Sequence, residues 1–297
     1  MVFLRIIITV IASLVSTIVY SESISIIDGL NREVYLDNPA KRVVSIAPSA
    51  TEIVFALNSQ SILIGRDEYS NFPPEALQIQ SIGSVYPNVN IEIVLSLKPD
   101  LVLAAGITPA KDIQALTAVG IPVYAGHKAT NFEEIYADIA ATGMLINNKD
   151  QALKLINEMQ LQVAEIVENS NQNRPLVFYE LDGTDPSKPW TIGAGTFIEH
   201  MISLAGAENL GNIQNQQYYQ IGSEELVSIN PEIIIVGTNV YGENTSKFIS
   251  SRPGWQNIKA VLNKNIYSVD GNLISRPGPR VIEGLKSLTT IIRNSTN

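Results

Sequence analysis

The sequence predicts an α/β protein of two Rossmann-like lobes with mainly parallel sheets, joined by one long α-helix. Three observations carry that expectation. Apolar strand-like runs alternate with helical patterns along most of the chain, the order that builds parallel sheets. The stretch IEIVLSLKPDLVLAAG, residues 91–106, returns as SEELVSINPEIIIVG, residues 223–237. A helical pattern free of Gly and Pro, residues 149–171, lies between the two copies.

The repeat needs no gap. Glu92 pairs with Glu224, Ser96 with Ser228, Pro99 with Pro231 and Asp100 with Glu232, each 132 residues apart. In the first copy, Ile91, Val94, Leu95 and Leu97 recur at helical spacing. Pro99 then stops the helix, because its ring clashes with a further turn and it lacks an N–H. Residues 101–105, LVLAA, form an unbroken apolar run, as a strand covered on both faces requires. Two such units in one chain place a ligand between them.

In chain order, residues 1–21 read as a secretory signal peptide. Arg5 is its positive end, residues 6–19 its apolar core, and Val19 and Ser21 the small residues before a cleavage site. A membrane anchor is the alternative, but the apolar run is shorter than the roughly 20 residues that span a bilayer. Residues 22–148 form the first lobe. Residues 25–36 alternate about Asp28-Gly29 as a hairpin. Residues 42–46 make the first core strand, and 50–57 a helix with Ser49 or Thr51 as N-cap. Residues 62–65 are a strand leading to an irregular loop with Pro73-Pro74. After the organising stretch come a helix at 109–119, a strand at 121–124 and a helix at 132–145.

Residues 149–171 carry an apolar stripe, Ala152, Ile156, Met159, Val163 and Ile166 or Val167. Their place between the repeats marks them as the connecting helix, although a surface helix of one domain has the same amphipathicity. Residues 172–297 form the second lobe. Its strands are expected at 176–180, at the repeat and at 266–269. A glycine turn at 193–195 feeds a helix that stops at Gly206, residues 239–256 are polar and irregular, and the last helix spans 281–292.

Composition limits the chemistry. With 20 Lys and Arg against 29 Asp and Glu, the net charge is −9, so nothing draws the chain to nucleic acid or anionic lipid. There is no cysteine, hence no disulfide, thiolate metal site, cysteine nucleophile or lipid-modified cysteine. Export without lipidation points to the periplasm. The two histidines, His127 and His200, stand at no metal-ligand spacing and read as isolated. No G-x-S-x-G elbow, P-loop or G-x-G-x-x-G is present. Neither catalytic residues nor a metal site are expected, which argues against a secreted hydrolase or metalloenzyme. Gly193 and Gly195 precede a helix and suit either an anion or a plain tight turn.

Aromatic residues say more, because several fall in expected loops of both halves: Tyr69 and Phe72, Tyr86, Trp190, and Tyr218-Tyr219. Loops at the carboxyl edge of a parallel sheet are where α/β proteins bind ligands. Flat rings with polar tips suit a large, partly apolar ring-shaped ligand, although any one of them equally suits packing. Glu92 and Glu224 begin matched helices, either offsetting the helix dipole or docking onto matched basic residues of a two-fold partner.

The motifs KRVVSIAPSATEIVFAL, DEYSNFPPEA, NIEIVLSLKPDLVLA, GTFIEHMISLAGAENL, EELVSINPEIIIV and RPGPRVIEGL together resemble the substrate-binding proteins of ABC importers for iron–siderophores, haem and cobalamin. The likeness covers nearly the whole chain after residue 21 and is strongest to periplasmic cobalamin-binding proteins. The resemblance implies a corrinoid, cobalamin, as transported ligand rather than as a cofactor. Tyr69, Tyr86, Trp190 and Tyr218 fall at aromatic pocket positions, and Arg276 in the loop that closes over the ligand. Glu92 and Glu224 match the acids that dock on the permease dimer. It implies a monomer whose lobes close little about the long helix. Departures exist: Tyr replaces Trp at 86 and 218, and Ala105 stands where relatives can carry Trp. Haem-binding relatives place an iron-ligating tyrosine one residue out of register with Tyr86. Haem with Tyr86 as axial ligand is therefore the alternative cargo, and a ferric siderophore the third.

Overall fold

A computed structural model describes residues 23–237 and 244–295. The expected signal peptide lies outside the described residues, as do residue 238 and residues 239–243 of the stretch expected to be irregular. The first lobe opens with a hairpin, β1 (Ile24–Ile27) and β2 (Glu33–Leu36). It continues through β3 (Val43–Ser45), α1 (Pro48–Ala56), β4 (Leu63–Arg66), α2 (Ile91–Ser96) and β5 (Leu101–Ala104). Helix α3 (Ala110–Ala118), β6 (Val123–Ala125) and α4 (Phe132–Leu145) complete it. Its sheet is wholly parallel in the order β4-β3-β5-β6. The order reverses direction between β3 and β5, which opens a crevice at their carboxyl ends.

Helix α1 corrects its expected cap. It starts at Pro48 after Ala47, and no side chain accepts the free N–H groups. Thr51 is one turn in, where its hydroxyl bonds Ser45 and Ser70 at 2.8 Å each. Helix α4 has the expected bounds, capped by the Asn131 carboxamide, which accepts from the Glu134 N–H.

The hairpin covers the outer edge of the sheet. Gly29 N–H donates to the Ala125 carbonyl at 2.8 Å, and Arg32 Nη2 to the Val123 carbonyl at 3.1 Å. Buried Asp28 accepts from the N–H groups of Leu30 and Arg32 and from the Arg32 guanidinium. A Cβ at Gly29 would lie 2.4 Å from the Gly126 backbone, so only glycine permits this approach.

Helix α5 (Lys149–Glu168) follows as one unbroken run. Ala152, Met159 and Ile166 are its buried stripe, and they belong to an apolar core shared by both lobes, from Val43 and Leu101 to Tyr179 and Leu285. At one end α5 packs on α4. Gly143 of α4 allows the close approach, since a Cβ there would stand 2.5 Å from that of Ala152. Along its length α5 also meets α11, where Lys286 Nζ donates to Gln162 at 2.7 Å.

The second lobe contains β7 (Leu176–Asp182), β8 (Trp190–Ile192), α6 (Phe197–Leu204), β9 (Glu208–Asn209) and β10 (Tyr218–Gln220). After these come α7 (Ser223–Ile229), β11 (Ile233–Val236), α8 (Thr245–Ser250), α9 (Lys259–Leu262), β12 (Ile266–Ser268), α10 (Gly271–Ser275) and α11 (Val281–Ser295). Its sheet is mixed, in the order β10-β8-β7-β11-β12. Strands β7, β11 and β12 run parallel, while β8 and β10 are antiparallel additions. Trp190 and Tyr218 therefore sit on short strands, not in the loops expected of them. Part of the stretch expected to be irregular forms α8.

The repeat is structural. Strand β11 reproduces β5 at the 132-residue offset, fully buried in both copies. Helix α7 starts at the same offset from α2. Lys98 and Asn230, each just before the proline, both have positive φ, 50° and 61°. That turns the chain sharply from helix to strand without a glycine.

Candidate functional site

A cavity of about 640 Å³ lies between the lobes. Its first wall is built where β3, β5 and β6 end, from Ile46–Ser49, Ala105–Pro109 and His127–Thr130. That is the crevice the strand order dictates. The facing wall comes from the second lobe: Leu181 near the end of β7, the turn Gly195–Ile198, and the segment Asn272–Pro277. Below the cavity the lobes touch through Phe132 of α4 and Phe197 of α6, edge to face at 5.3 Å, with the His200 ring 6.0 Å from Phe132. Burial lowers the His200 pKa, and neighbouring Glu199 offsets part of that shift.

Tyr69, Tyr86, Tyr218 and Arg276 all line this cavity, and Trp190 does not. Tyr69 is oriented from below. Buried Asp67 accepts from the Tyr69 N–H at 3.0 Å and from the Ser70 hydroxyl, closing an Asx turn. Burial raises the Asp67 pKa, while these hydrogen bonds and the charges of Arg276 and Arg66 pull it back. Tyr86 projects from the loop between β4 and α2, 81% exposed. The Ser84 hydroxyl accepts from the Tyr86 N–H at 3.1 Å and donates to the Tyr86 carbonyl at 2.9 Å. Tyr218 opens β10 and is half-buried, which raises its pKa. Trp190 opens β8 opposite Gln220, away from the cavity wall.

Arg276 reaches across the lobes. Its Nη1 donates to Asn71 at 2.8 Å and stands 3.9 Å from Glu52. Lys128 and Gln217 face each other across the cleft at 3.4 Å. Glu92 and Glu224 occupy the first turns of α2 and α7, both exposed and outside the cavity.

The sequence reading missed His127. Its Nδ1 lies 2.6 Å from the Asp138 carboxylate, which also accepts from the Tyr124 hydroxyl at 2.8 Å and the His127 N–H at 3.0 Å. Gly126 makes room for this carboxylate, since a Cβ there would stand 2.7 Å from Asp138 Oδ2. Burial raises the Asp138 pKa against the pull of these donors. The sequence held one usable signal, an aspartate on the inward face of α4 nearly two turns past its start. Asp67, Lys128 and Gln217 were missed as well, for want of any pattern around them.

Among the described residues no group of His, Asp and Glu side chains is arranged to hold a metal ion, and no helix is long and apolar enough to cross a membrane. The cavity offers aromatic faces and a few oriented polar groups, the make-up of a site that holds a ligand.

Two α/β lobes on one long helix with such a cleft define a binding protein, and comparison with known proteins agrees. Residues 43–273 match the family model described as periplasmic binding protein, and the chain belongs to that family: it is a substrate-binding protein of the ABC-importer class, not an enzyme. An uncharacterized ABC transporter substrate-binding lipoprotein of Bacillus subtilis, YvrC, is 32% identical over 92% of this chain and 86% of its own length. A cobalamin-binding protein of Halobacterium salinarum is 29% identical over 91% of this chain and 74% of its own. The periplasmic haem-binding protein RhuT from Roseiflexus sp. RS-1 superposes with a TM-score of 0.77 at 22% identity, covering 87% of this chain and all of that one. This last likeness concerns the fold.

Proposed function

We propose that the chain captures a corrinoid such as cobalamin and delivers it to the permease dimer of an inner-membrane ABC importer, acting as a monomer exported without a lipid anchor. One observation carries the reading. Tyr69, Tyr86 and Tyr218, from separate segments of both lobes, converge on one cavity of about 640 Å³, where their rings sandwich a flat, partly apolar macrocycle. Arg276, Lys128 and Gln217 at the same cavity serve the polar rim of such a ligand. The name of the Halobacterium relative favours the same cargo. The absence of cysteine from the sequence supports a free rather than lipidated protein, in contrast to the Bacillus relative's description. Glu92 and Glu224, on matched exposed helix starts, are the docking acids in this reading.

The test is a titration of the purified protein with cyanocobalamin and, separately, with haemin, read by visible absorption and tryptophan quenching. Saturable quenching by cyanocobalamin without a Soret shift from haemin supports the corrinoid. A haemin Soret shift without cobalamin binding moves the cargo to haem. No response to either leaves a siderophore as the cargo to test.

A further inference from the structure

Among the described residues that line the cavity, His127 is the one whose ring is held by a carboxylate, as that of a metal ligand is. Its Nδ1 is fixed at 2.6 Å from Asp138. That carboxylate gathers three contacts, from the Tyr124 hydroxyl, the His127 N–H and the His127 ring, which together fix the orientation of the imidazole. The Asp138 side chain is 9% exposed and that of His127 30% exposed. Nδ1 is taken up by Asp138, which leaves Nε2 as the ring nitrogen available to a ligand, and His127 lines the cavity between the lobes. Among the described residues no hydrogen bond occupies Nε2. A histidine that donates one ring N–H to a carboxylate while the other nitrogen faces an open site is the arrangement that orients imidazole toward a metal and raises its basicity.

Competing donors in the cavity lack this support. No hydrogen bond among the described residues reaches the hydroxyl of Tyr69, Tyr86 or Tyr218, so nothing there orients a phenolate. Asp67 is committed to Tyr69 and Ser70. Among the described residues no group of side chains is arranged to hold a free ion, and the macrocycle reading supplies a metal already held by its own ring.

We propose that His127, oriented by Asp138, ligates through Nε2 the metal centre of a metallo-tetrapyrrole bound between the lobes. This inference rests on the macrocycle reading of the cavity. In the step, the Nε2 lone pair forms a coordinate bond to the metal and an axial water leaves. No proton or electron changes hands, because the Nδ1 proton stays toward Asp138. The cargo this favours is a corrinoid with an exchangeable axial position over one whose two axial positions are filled.

The test uses the purified wild type, His127→Ala, His127→Gln and Asp138→Asn. The probes are diaquocobinamide, which has exchangeable axial waters and no nucleotide base, cyanocobalamin, whose axial positions are both filled, and haemin. Wild type is expected to shift the visible band of diaquocobinamide and to bind it at least tenfold tighter than either His127 variant. Cyanocobalamin affinity should differ less than threefold among them. Asp138→Asn should weaken diaquocobinamide about tenfold. With reduced cobinamide, the nitrogen splitting in the electron paramagnetic resonance spectrum should change from three lines to two when the protein carries ¹⁵N-histidine. Unchanged binding and band shift in His127→Ala, or a splitting indifferent to the label, overturns the ligation and leaves the corrinoid reading intact. A Soret shift with haemin that His127→Ala abolishes keeps the ligation and moves the cargo to haem. Failure to bind all three probes overturns the macrocycle reading and this inference with it.

Discussion

Glu52 of α1 and Arg280, just before α11, meet across the two lobes in a bidentate pair of 2.9 and 2.5 Å. Glu52 is 4% exposed. The Arg280 guanidinium also lies over the Phe72 ring at 3.7 Å, and Glu52 holds its pKa up. The long helix is therefore not the only tie between the lobes. An ion pair also joins them, next to the loop that carries Tyr69 and Phe72.

Arg280→Gln leaves a buried carboxylate facing only Arg276, at 3.9 Å. We expect it to cost roughly 2–4 kcal/mol in urea denaturation, toward the lower end for buried pairs because the arginine keeps some solvent. Glu52→Gln with Arg280→Gln should recover part of that loss. A cycle with no coupling would show that the pair does not hold the lobes.

Protonation of His200 acts on the same boundary from below. Its pKa in the folded protein lies under the ordinary 6.5 because burial disfavours the cation. Below pH 6.5 the unfolded chain takes the proton more readily, so the contribution is complete above pH 6.5 and is withdrawn as pH falls toward the lowered value. Thermal midpoints between pH 7.5 and about 5 should fall more steeply for wild type than for His200→Gln. Parallel curves would remove His200 from the account.

Exposed Tyr86 contributes almost nothing to folding, so Tyr86→Ala should leave stability within about 0.5 kcal/mol. If it stacks on the ligand, the same change should weaken binding roughly ten- to a hundredfold. Trp190→Phe, off the cavity wall, should shift affinity less than about twofold. The quench titration distinguishes the two positions directly.

Packing of α4 on α5 depends on Gly143. Gly143→Ala should cost about 1–3 kcal/mol, since the new methyl would meet Ala152 at 2.5 Å. Gly143→Ala with Ala152→Gly should be milder than Gly143→Ala alone. Denaturant midpoints of the three proteins measure this.

Charge reversal at both Glu92 and Glu224 to Lys should abolish uptake through the cognate importer while ligand affinity stays within about twofold, because neither residue lines the cavity. Normal transport by the double variant, in vesicles or in cells, would sink the docking assignment.

The parts of this architecture most legible in sequence were those with local causes. Helix α4 carries its own Asn cap, β5 and β11 are continuous apolar runs, and the prolines at 99 and 231 end their helices where the repeat requires. What escaped depends on partners far along the chain. Strands β8 and β10 are three residues each and pair across a segment that contains α6 and β9, too short for alternation to register. Trp190 and Tyr218 therefore looked alike in sequence, yet only Tyr218 reaches the cavity. His127 looked isolated because its carboxylate is eleven residues on, and only the turn from β6 into α4 brings them together.

The hairpin over β6 has a consequence for how the protein behaves in crowded solution. An uncovered outer strand offers a row of free N–H and C=O groups to any other extended chain. Here the Gly29 N–H and the Arg32 guanidinium donate to the carbonyls of Ala125 and Val123, and Asp28 accepts from the Ala125 N–H. The hairpin and β6 lie some ninety residues apart in sequence, so the cover is a long-range contact made at the start of the chain. A side chain at position 29 would push the hairpin off β6 and leave that rim open to pairing with a foreign strand.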